Sequence, residues 1–333
     1  MKFGVRLPNS GPLANRRNIV EVADQAERLG FHSVWVHDHI LWGTEQHRTH
    51  LSAGSSEALL NSQLPNFYES LTTLAYVAGR TSRVRLGVAV LVLPLRNPVV
   101  VAKQLANLDL LSEGRLIVGL APGAPNITTH EFEAVGVDYE TRGRITDEYI
   151  VAIKKLWKDS LPSFSGNYTQ FREAQMFPKP FQDLKILIGG GERGISPRAL
   201  RRVVELGDGW IPAYLTPEEI GKGISEIKKE LSARRSESSG TLIVHEMFAA
   251  VHQNEEIAVA SAAKSLATNF ATSEEGLRRS LIGAPQNLIS KLNMYEAAGV
   301  DITELKFVFS DIPALLEMME LFAAEVLPSF EPS

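Results

Sequence analysis

Two places in the sequence combine residue types and spacing that can do chemistry. The first is Asp38-His39, within Trp35-Val36-His37-Asp38-His39-Ile40-Leu41-Trp42. An imidazole changes charge near neutral pH, so an accessible histidine can hold, donate or accept a proton during a reaction. The alternative for His39 is a side chain that packs against or anchors a loop. The second place is Gly189-Gly190-Gly191-Glu192-Arg193-Gly194-Ile195-Ser196-Pro197-Arg198. Glycines let the backbone approach an anion closely, and a helix start presents unpaired N–H groups to it. Ser196 is suited to cap such a helix and Pro197 to its first turn, while Arg193 and Arg198 add positive charge. That chemistry would be phosphate binding; the alternative is an ordinary connecting loop. His37 is expected to be structural, and His47 and His50 to be solvated. Their spacing fits no metal-ligand pattern, so no metal is expected.

These residues need a scaffold, and the hydrophobic pattern supplies one. Residues 84–93 are almost unbroken aliphatic, apolar on both faces, as in a strand buried on both sides in a parallel sheet. Pro94 and Asn97-Pro98 end the run, 99–110 have helical spacing, and 116–119 form a second apolar strand. This is one β-α-β unit. The same alternation predicts strands over 2–7, 33–37, 185–188, 209–211, 241–251 and 305–309. Helices are predicted over 16–29, 67–79, 139–157, 197–206 and 312–326, from 217 and from 285, with a further helical segment in 255–281. Residues 164–169 read as a small hairpin. Strands and helices in strict alternation predict an α/β fold, a (β/α)8 TIM barrel, as a single domain over 1–333. Insertions are expected after strands two, four and seven. An open doubly wound sheet would carry its glycine fingerprint after the first strand, where Pro8-Asn9-Ser10-Gly11-Pro12 stands instead. Barrel sites lie at the carboxyl ends of the strands. That rule nominates Asn9, Ser10, Asp38, His39, the end of strand three, 120–138, 189–198, Tyr214 and the end of strand seven.

Composition narrows the function classes. The net charge of −5 over 333 residues gives no support to nucleic-acid or anionic-membrane partners. The chain has no cysteine, which excludes disulfides and thiolate chemistry. No apolar run approaches the ~20 residues that span a bilayer, and no basic-then-apolar leader precedes the first strand. A cytoplasmic, soluble protein acting on a small molecule is the expectation.

The stretch VLPLRNPVVVAKQLANLDLLS followed by EGRLIVGLAPG resembles the third β-α-β unit of the bacterial-luciferase-like oxidoreductases. Those are (β/α)8 barrels that use flavin or the deazaflavin coenzyme F420. In the deazaflavin branch a DH pair at the end of strand two faces the reactive ring, which implies cofactor contact for Asp38 and His39 and a catalytic role for His39. The resemblance implies a non-proline cis peptide or a bulge at Ala89-Val90, backing the ring. Continued by SPRALRRVVELGDGW, the glycine run resembles the family's cofactor-phosphate loop, with Gly189, Gly190, Gly191, Ser196 and Arg198 as contacts. Ala121-Pro122-Gly123-Ala124-Pro125-Asn126 lies where relatives bind the cofactor side chain, which brings in Asn126. The sugar-phosphate dehydrogenase relative has an acidic glutamate after this glycine; Ala124 stands there instead, which argues against that activity. Glu131 and Glu133 within HEFEAVG, and Thr141-Arg142-Gly143-Arg144 with Glu148, read as structural. Trp35, Trp157 and Trp210 read as core. The implied reaction is hydride transfer between the deazaflavin and a small organic substrate, with His39 handling the proton. The alternatives are an FMN-dependent monooxygenase supplied with reduced flavin by a separate reductase, and a non-catalytic flavin-binding barrel. A homodimer is the expected assembly. Residues 40–66 and 255–281 are expected to shape the substrate pocket.

Overall fold

A computed structural model describes residues 1–41, 66–124, 128–191, 193–234 and 240–330. The strands are β1 (Lys2–Arg6), β2 (Ser33–Val36), β3 (Arg85–Val92), β4 (Leu116–Ala121), the hairpin pair β5 (Phe164–Ser165) and β6 (Gln170–Phe171), β7 (Ile186–Gly189), β8 (Gly209–Ile211), β9 (Leu242–Val251), β10 (Leu281–Gly283) and β11 (Ile302–Phe307). The helices are α1 (Arg16–Arg28), α2 (Ser70–Ala78), α3 (Pro98–Leu111), α4 (Thr129–Ala134), α5 (Arg142–Lys158), α6 (Pro197–Leu206), α7 (Pro217–Ala233), α8 (Glu255–Asn269), α9 (Ser273–Arg278), α10 (Pro285–Ala298) and α11 (Ile312–Glu325). Strands β1, β2, β3, β4, β7, β8, β9 and β11 pair in parallel in that order, and β11 returns to β1. The sheet is therefore a closed barrel of eight parallel strands inside a ring of helices, as the sequence pattern predicts.

Closure buries both faces of each strand, which is why β3 and β4 read as continuous apolar runs. The outer face packs on the helices through residues such as Val5, Leu86, Val118 and Ile188. The inner face is plugged at one level by Trp35, Ile117, Leu187, Val244 and Ile302. Trp35 needs the space that its neighbour Gly87 leaves, since a Cβ there would lie 2.1 Å from its ring. Local signals act where expected. Asn97 caps α3 by accepting from the Val99 N–H at 2.9 Å, with Pro98 in the first turn.

Three features depart from the sequence reading. The last barrel strand starts at Ile302, not 305. Glu304 and Lys306 interrupt its apolar pattern; an ion pair with Arg6 for the first and the Phe248 ring face for the second let them sit in a strand. Leu281–Gly283 pairs with β9 as a short extra strand, too brief to show a period. The segment expected to be a loop between 120 and 138 contains α4. No helix among the described residues is long and apolar enough to cross a membrane.

Candidate active site

A cleft of about 1170 Å³ opens at the carboxyl ends of the barrel strands. It is lined by nine of the residues singled out in the sequence: Asp38, His39, Ala89, Val90, Gly189, Gly190, Gly191, Ser196 and Arg198. Asn126 falls outside the described residues. A second cleft, of about 710 Å³, runs between α1, α2 and α11. It lies on the outer ring of helices, away from the strand ends where this fold builds its sites.

The mouth has two unlike halves. On β3, β4 and β7 the inward positions are small: Ala89, Gly119 and Gly189. A Cβ on Gly119 would lie 2.7 Å from the Val88 carbonyl oxygen, and one on Gly189 would lie 2.7 Å from Val90 Cγ1. The Ala89–Val90 peptide is cis, and the pairing of β3 with β4 slips between Val88 and Leu91. Both forms of irregularity that the resemblance implies for this strand are thus present together. They leave a shallow bed of Ala89, Val90, Ala121 and Ile211.

The bed is fixed from β2 by Asp38. Arg96 forks onto it with two bonds of 2.7 Å, the Ser70 hydroxyl donates at 2.8 Å and the Val92 N–H at 3.0 Å. Asp38 is buried and both its oxygens are occupied, so it ties the ends of β2 and β3 to the start of α2. Asn9, also buried, adds to this frame by donating to the His37 and Tyr68 carbonyls.

His39 stands at the rim, its side chain 15% exposed, with Nδ1 2.7 Å from Glu131 Oε2. The edge of the Phe67 ring faces it at 5.2 Å. Glu131 is fully buried on α4, and its other oxygen accepts from the backbone N–H groups of Ile40 (2.6 Å) and Leu41 (3.1 Å). Burial alone would raise the Glu131 carboxyl, but His39 and these backbone donors bring it below the usual carboxylate range. A buried carboxylate holding Nδ1 fixes the orientation of the imidazole ring at the cleft. The sequence reading left Glu131 as structural; the fold makes it the partner of His39.

The glycine loop runs through positive-φ backbone into the start of α6. Gly190, Gly191 and Gly194 have φ of 135°, 110° and 101°, which side-chain-bearing residues avoid. Trp210 is buried and donates to the Gly190 carbonyl at 2.7 Å, orienting the loop from below. Ser196 caps α6 by accepting from the Ala199 N–H, with Arg198 exposed beside it.

The other half of the mouth is charged; the rule of strand ends nominated Ser10 and Tyr214 there, but sequence reasoning missed Arg6, Glu246, Glu304 and Lys306. Arg6 on β1 donates to Glu304 on β11 at 2.6 Å, pairs with Glu246 on β9 at 2.9 Å, and donates to His37 Nδ1 at 2.7 Å. Because Nδ1 accepts, His37 Nε2 carries its proton toward the Ser10 hydroxyl at 2.7 Å. The Tyr214 hydroxyl donates to Glu246 at 2.6 Å. Lys306 on β11 has its ammonium 3.4 Å from the Tyr214 oxygen and 4.5 Å from the centre of the Phe248 ring. Burial pushes Glu304 up to about 8 and Lys306 down to about 8. Glu246, opposed by the same burial, is held low by Arg6 and Lys306 beside it. The available signal was a charged residue inside each of two apolar strands near their carboxyl ends.

At the mouth of this closed parallel barrel the His39–Glu131 pair, the cis Ala89–Val90 peptide and the glycine loop come together at one cleft. Residues 1–302 match the sequence profile of the luciferase-like monooxygenases, and the chain belongs to that family. A flavin-dependent trigonelline monooxygenase, oxygenase component, from Acinetobacter baylyi is 28% identical over an alignment covering 95% of this chain and 90% of that protein. An F420-dependent glucose-6-phosphate dehydrogenase from Kineococcus radiotolerans is 34% identical over 58% of this chain, and the match spans about half, 51%, of that enzyme. Among solved structures, the monooxygenase RslO1 from Streptomyces bottropensis aligns over 99% of this chain and 100% of its own, with a TM-score of 0.78 and 23% identity. An F420-dependent secondary alcohol dehydrogenase with an F420-acetone adduct aligns over 99% of both chains at a TM-score of 0.79 and 18% identity. At that identity these structures speak for the fold alone.

Proposed function

We propose that the protein is a coenzyme F420-dependent oxidoreductase acting on a small organic substrate. The observation that carries this reading is His39, held by the buried Glu131 at the rim of a cleft floored by the Ala89–Val90 bed. The residues present fit such a cofactor. The bed is lined by the short side chains Ala89, Val90 and Ala121, and Gly119 and Gly189 make room for Val88 and Val90 of β3 beneath it. The backbone of Gly189, Gly190 and Gly191, with Ser196 and Arg198, would hold the phosphate, and Ala89 and Val90 would back the ring. When bound, the deazaflavin supplies or accepts a hydride at C5. Asp38 sets the bed through Arg96 and the strand ends, and His39, oriented by Glu131, holds or moves the accompanying proton. The reading includes a cytoplasmic homodimer.

A second reading is an FMN-dependent monooxygenase fed by a separate reductase. It is favoured by the near full-length likeness to the oxygenase component of the trigonelline enzyme. A non-catalytic flavin-binding barrel is the third, and the paired His39–Glu131 argues against it. Titration of the purified protein with F420 and with FMN, followed by absorbance and fluorescence, tests the choice. Clearly tighter F420 binding is expected. Tighter FMN binding would overturn it in favour of the monooxygenase, and no binding of either would favour neither enzyme.

A further inference from the structure

The charged half of the mouth has a feature that cofactor binding does not use. Around the ring of eight strands, β9 and β11 stand four positions from β3 and β4. They therefore face the bed across the barrel, where whatever lies on the open face of the ring must sit. Of the acidic groups there, Glu246 is engaged through both oxygens, while Glu304 has its buried Oε2 without a hydrogen-bond partner among the described residues. Glu246 has one oxygen on the Tyr214 hydroxyl and the other on Arg6, and Glu304 has Oε1 on Arg6. Lys306 is different. It lines the cleft, and among the described residues its hydrogen bond is a long one to the Tyr214 oxygen. A primary ammonium has three donors, more than this one contact uses.

Tyr214 is built to hold this arrangement. Its φ of 57° is unfavourable for a side-chain-bearing residue. It is kept there by its N–H on the Glu246 carbonyl, by Arg279 on its own carbonyl, and by a stack with Phe248 whose ring centres are 4.8 Å apart. Backbone strain that the surroundings enforce in this way concentrates at functional sites.

We propose that Lys306 is the specificity determinant of the cleft and selects substrates carrying a single carboxylate, with Tyr214 as its positioning residue. The inference rests on the reading of this cleft as the active site and names its substrate class. A monoanion suits the local balance. Arg6 and Lys306 oppose the ionised Glu246, while burial favours the protonated form of Glu304. Lys306 lines the cleft beside Glu246, whose carboxylate is bonded to Arg6 and Tyr214, and a dianionic phosphate would bring its second charge against Glu246.

The test uses benzoate and its neutral isostere benzamide, hexanoate and hexanamide, and phenyl phosphate, titrated calorimetrically into the full-length protein. A charge-assisted hydrogen bond predicts carboxylate over amide by about 10- to 100-fold. Lys306→Met and Lys306→Gln should both abolish the preference, and Lys306→Arg should keep most of it. Circular dichroism checks that each variant is folded, and the two neutral variants guard against failure of either one. Equal binding of carboxylate and amide by the wild type overturns the proposal. So does a preference that survives loss of the charge, tighter binding of phenyl phosphate, or no binding of any carboxylate. F420 titrated into the same samples reports the cofactor reading separately. Carboxylate preference without F420 binding would sink that reading and leave this one standing.

Discussion

Glu131 and His39 make a pair whose coupling can be measured. Glu131 accepts from His39 Nδ1 at 2.7 Å through one oxygen and from Ile40 and Leu41 through the other. In Glu131→Gln the amide oxygen can keep the two backbone donors, but the NH2 group then faces Nδ1. His39 must turn that nitrogen into an acceptor and carry its proton on the other, the reverse of the arrangement the carboxylate enforces. The change removes one charge-assisted hydrogen bond, about 1.5–3 kcal/mol, which corresponds to about a 10- to 100-fold loss of turnover at 1.36 kcal/mol per tenfold. His39→Ala removes the proton carrier itself and should cost ~10²–10⁴ in rate while leaving cofactor affinity within a few fold. His39→Gln keeps hydrogen bonding but cannot titrate near neutral pH, so it should be nearly as impaired as Ala. Because the two residues act as a unit, the double variant His39→Ala/Glu131→Gln should be no slower than His39→Ala alone. Single-turnover change of cofactor absorbance, with whichever cofactor binds, gives the rates, and thermal melts report the stability lost at the Ile40–Leu41 anchor. Near-normal turnover of both His39 variants would remove His39 from the mechanism. Full recovery in His39→Gln would reduce it to a loop anchor, and simple additivity of the two losses would break the link to Glu131.

Two further outcomes follow from the same geometry. Gly190→Asp should weaken cofactor binding, because it puts a like charge and a disfavoured φ of 135° in the glycine loop while the barrel, whose core lies elsewhere, still folds; unchanged affinity in a cofactor titration would place the phosphate elsewhere. Acid should destabilise the fold through His245, which is fully buried on β9 and accepts the Leu215 N–H at 3.0 Å in its neutral form. Burial lowers it from 6.5 to about 3. The unfolded chain therefore takes up this proton first, so the contribution is complete above pH 6.5 and is lost as pH falls from there toward 3. The total is of order 5 kcal/mol at 1.36 kcal/mol per pH unit. Urea unfolding between pH 7 and 4 should show that slope, and His245→Gln should flatten it; an unchanged slope would assign the acid sensitivity to other groups.

The amino-acid order alone decided the architecture, because a parallel barrel needs strands apolar on both faces alternating with amphipathic helices, and such patterns are local. Residues 84–119 carry them without interruption. It also decided the two visible site signals. A histidine after the second strand, and glycines leading into a Ser-Pro helix start, act through groups adjacent in sequence. The partner of His39 was a different matter. Glu131 stands 92 residues away in a segment that the sequence reads as a loop, and its meeting with His39 depends on that segment forming α4 over the mouth. The charged half of the cleft was illegible for the same reason. Arg6, Glu246, Glu304 and Lys306 come from the first and the last two strands of the barrel, and only closure of the sheet sets them within hydrogen-bonding distance. Read singly along the chain, each charge counts against a buried strand, since an unpaired buried charge is costly. Whether such residues mar a strand or build a site depends on partners that the linear order does not display, and the ring of strands decided it here.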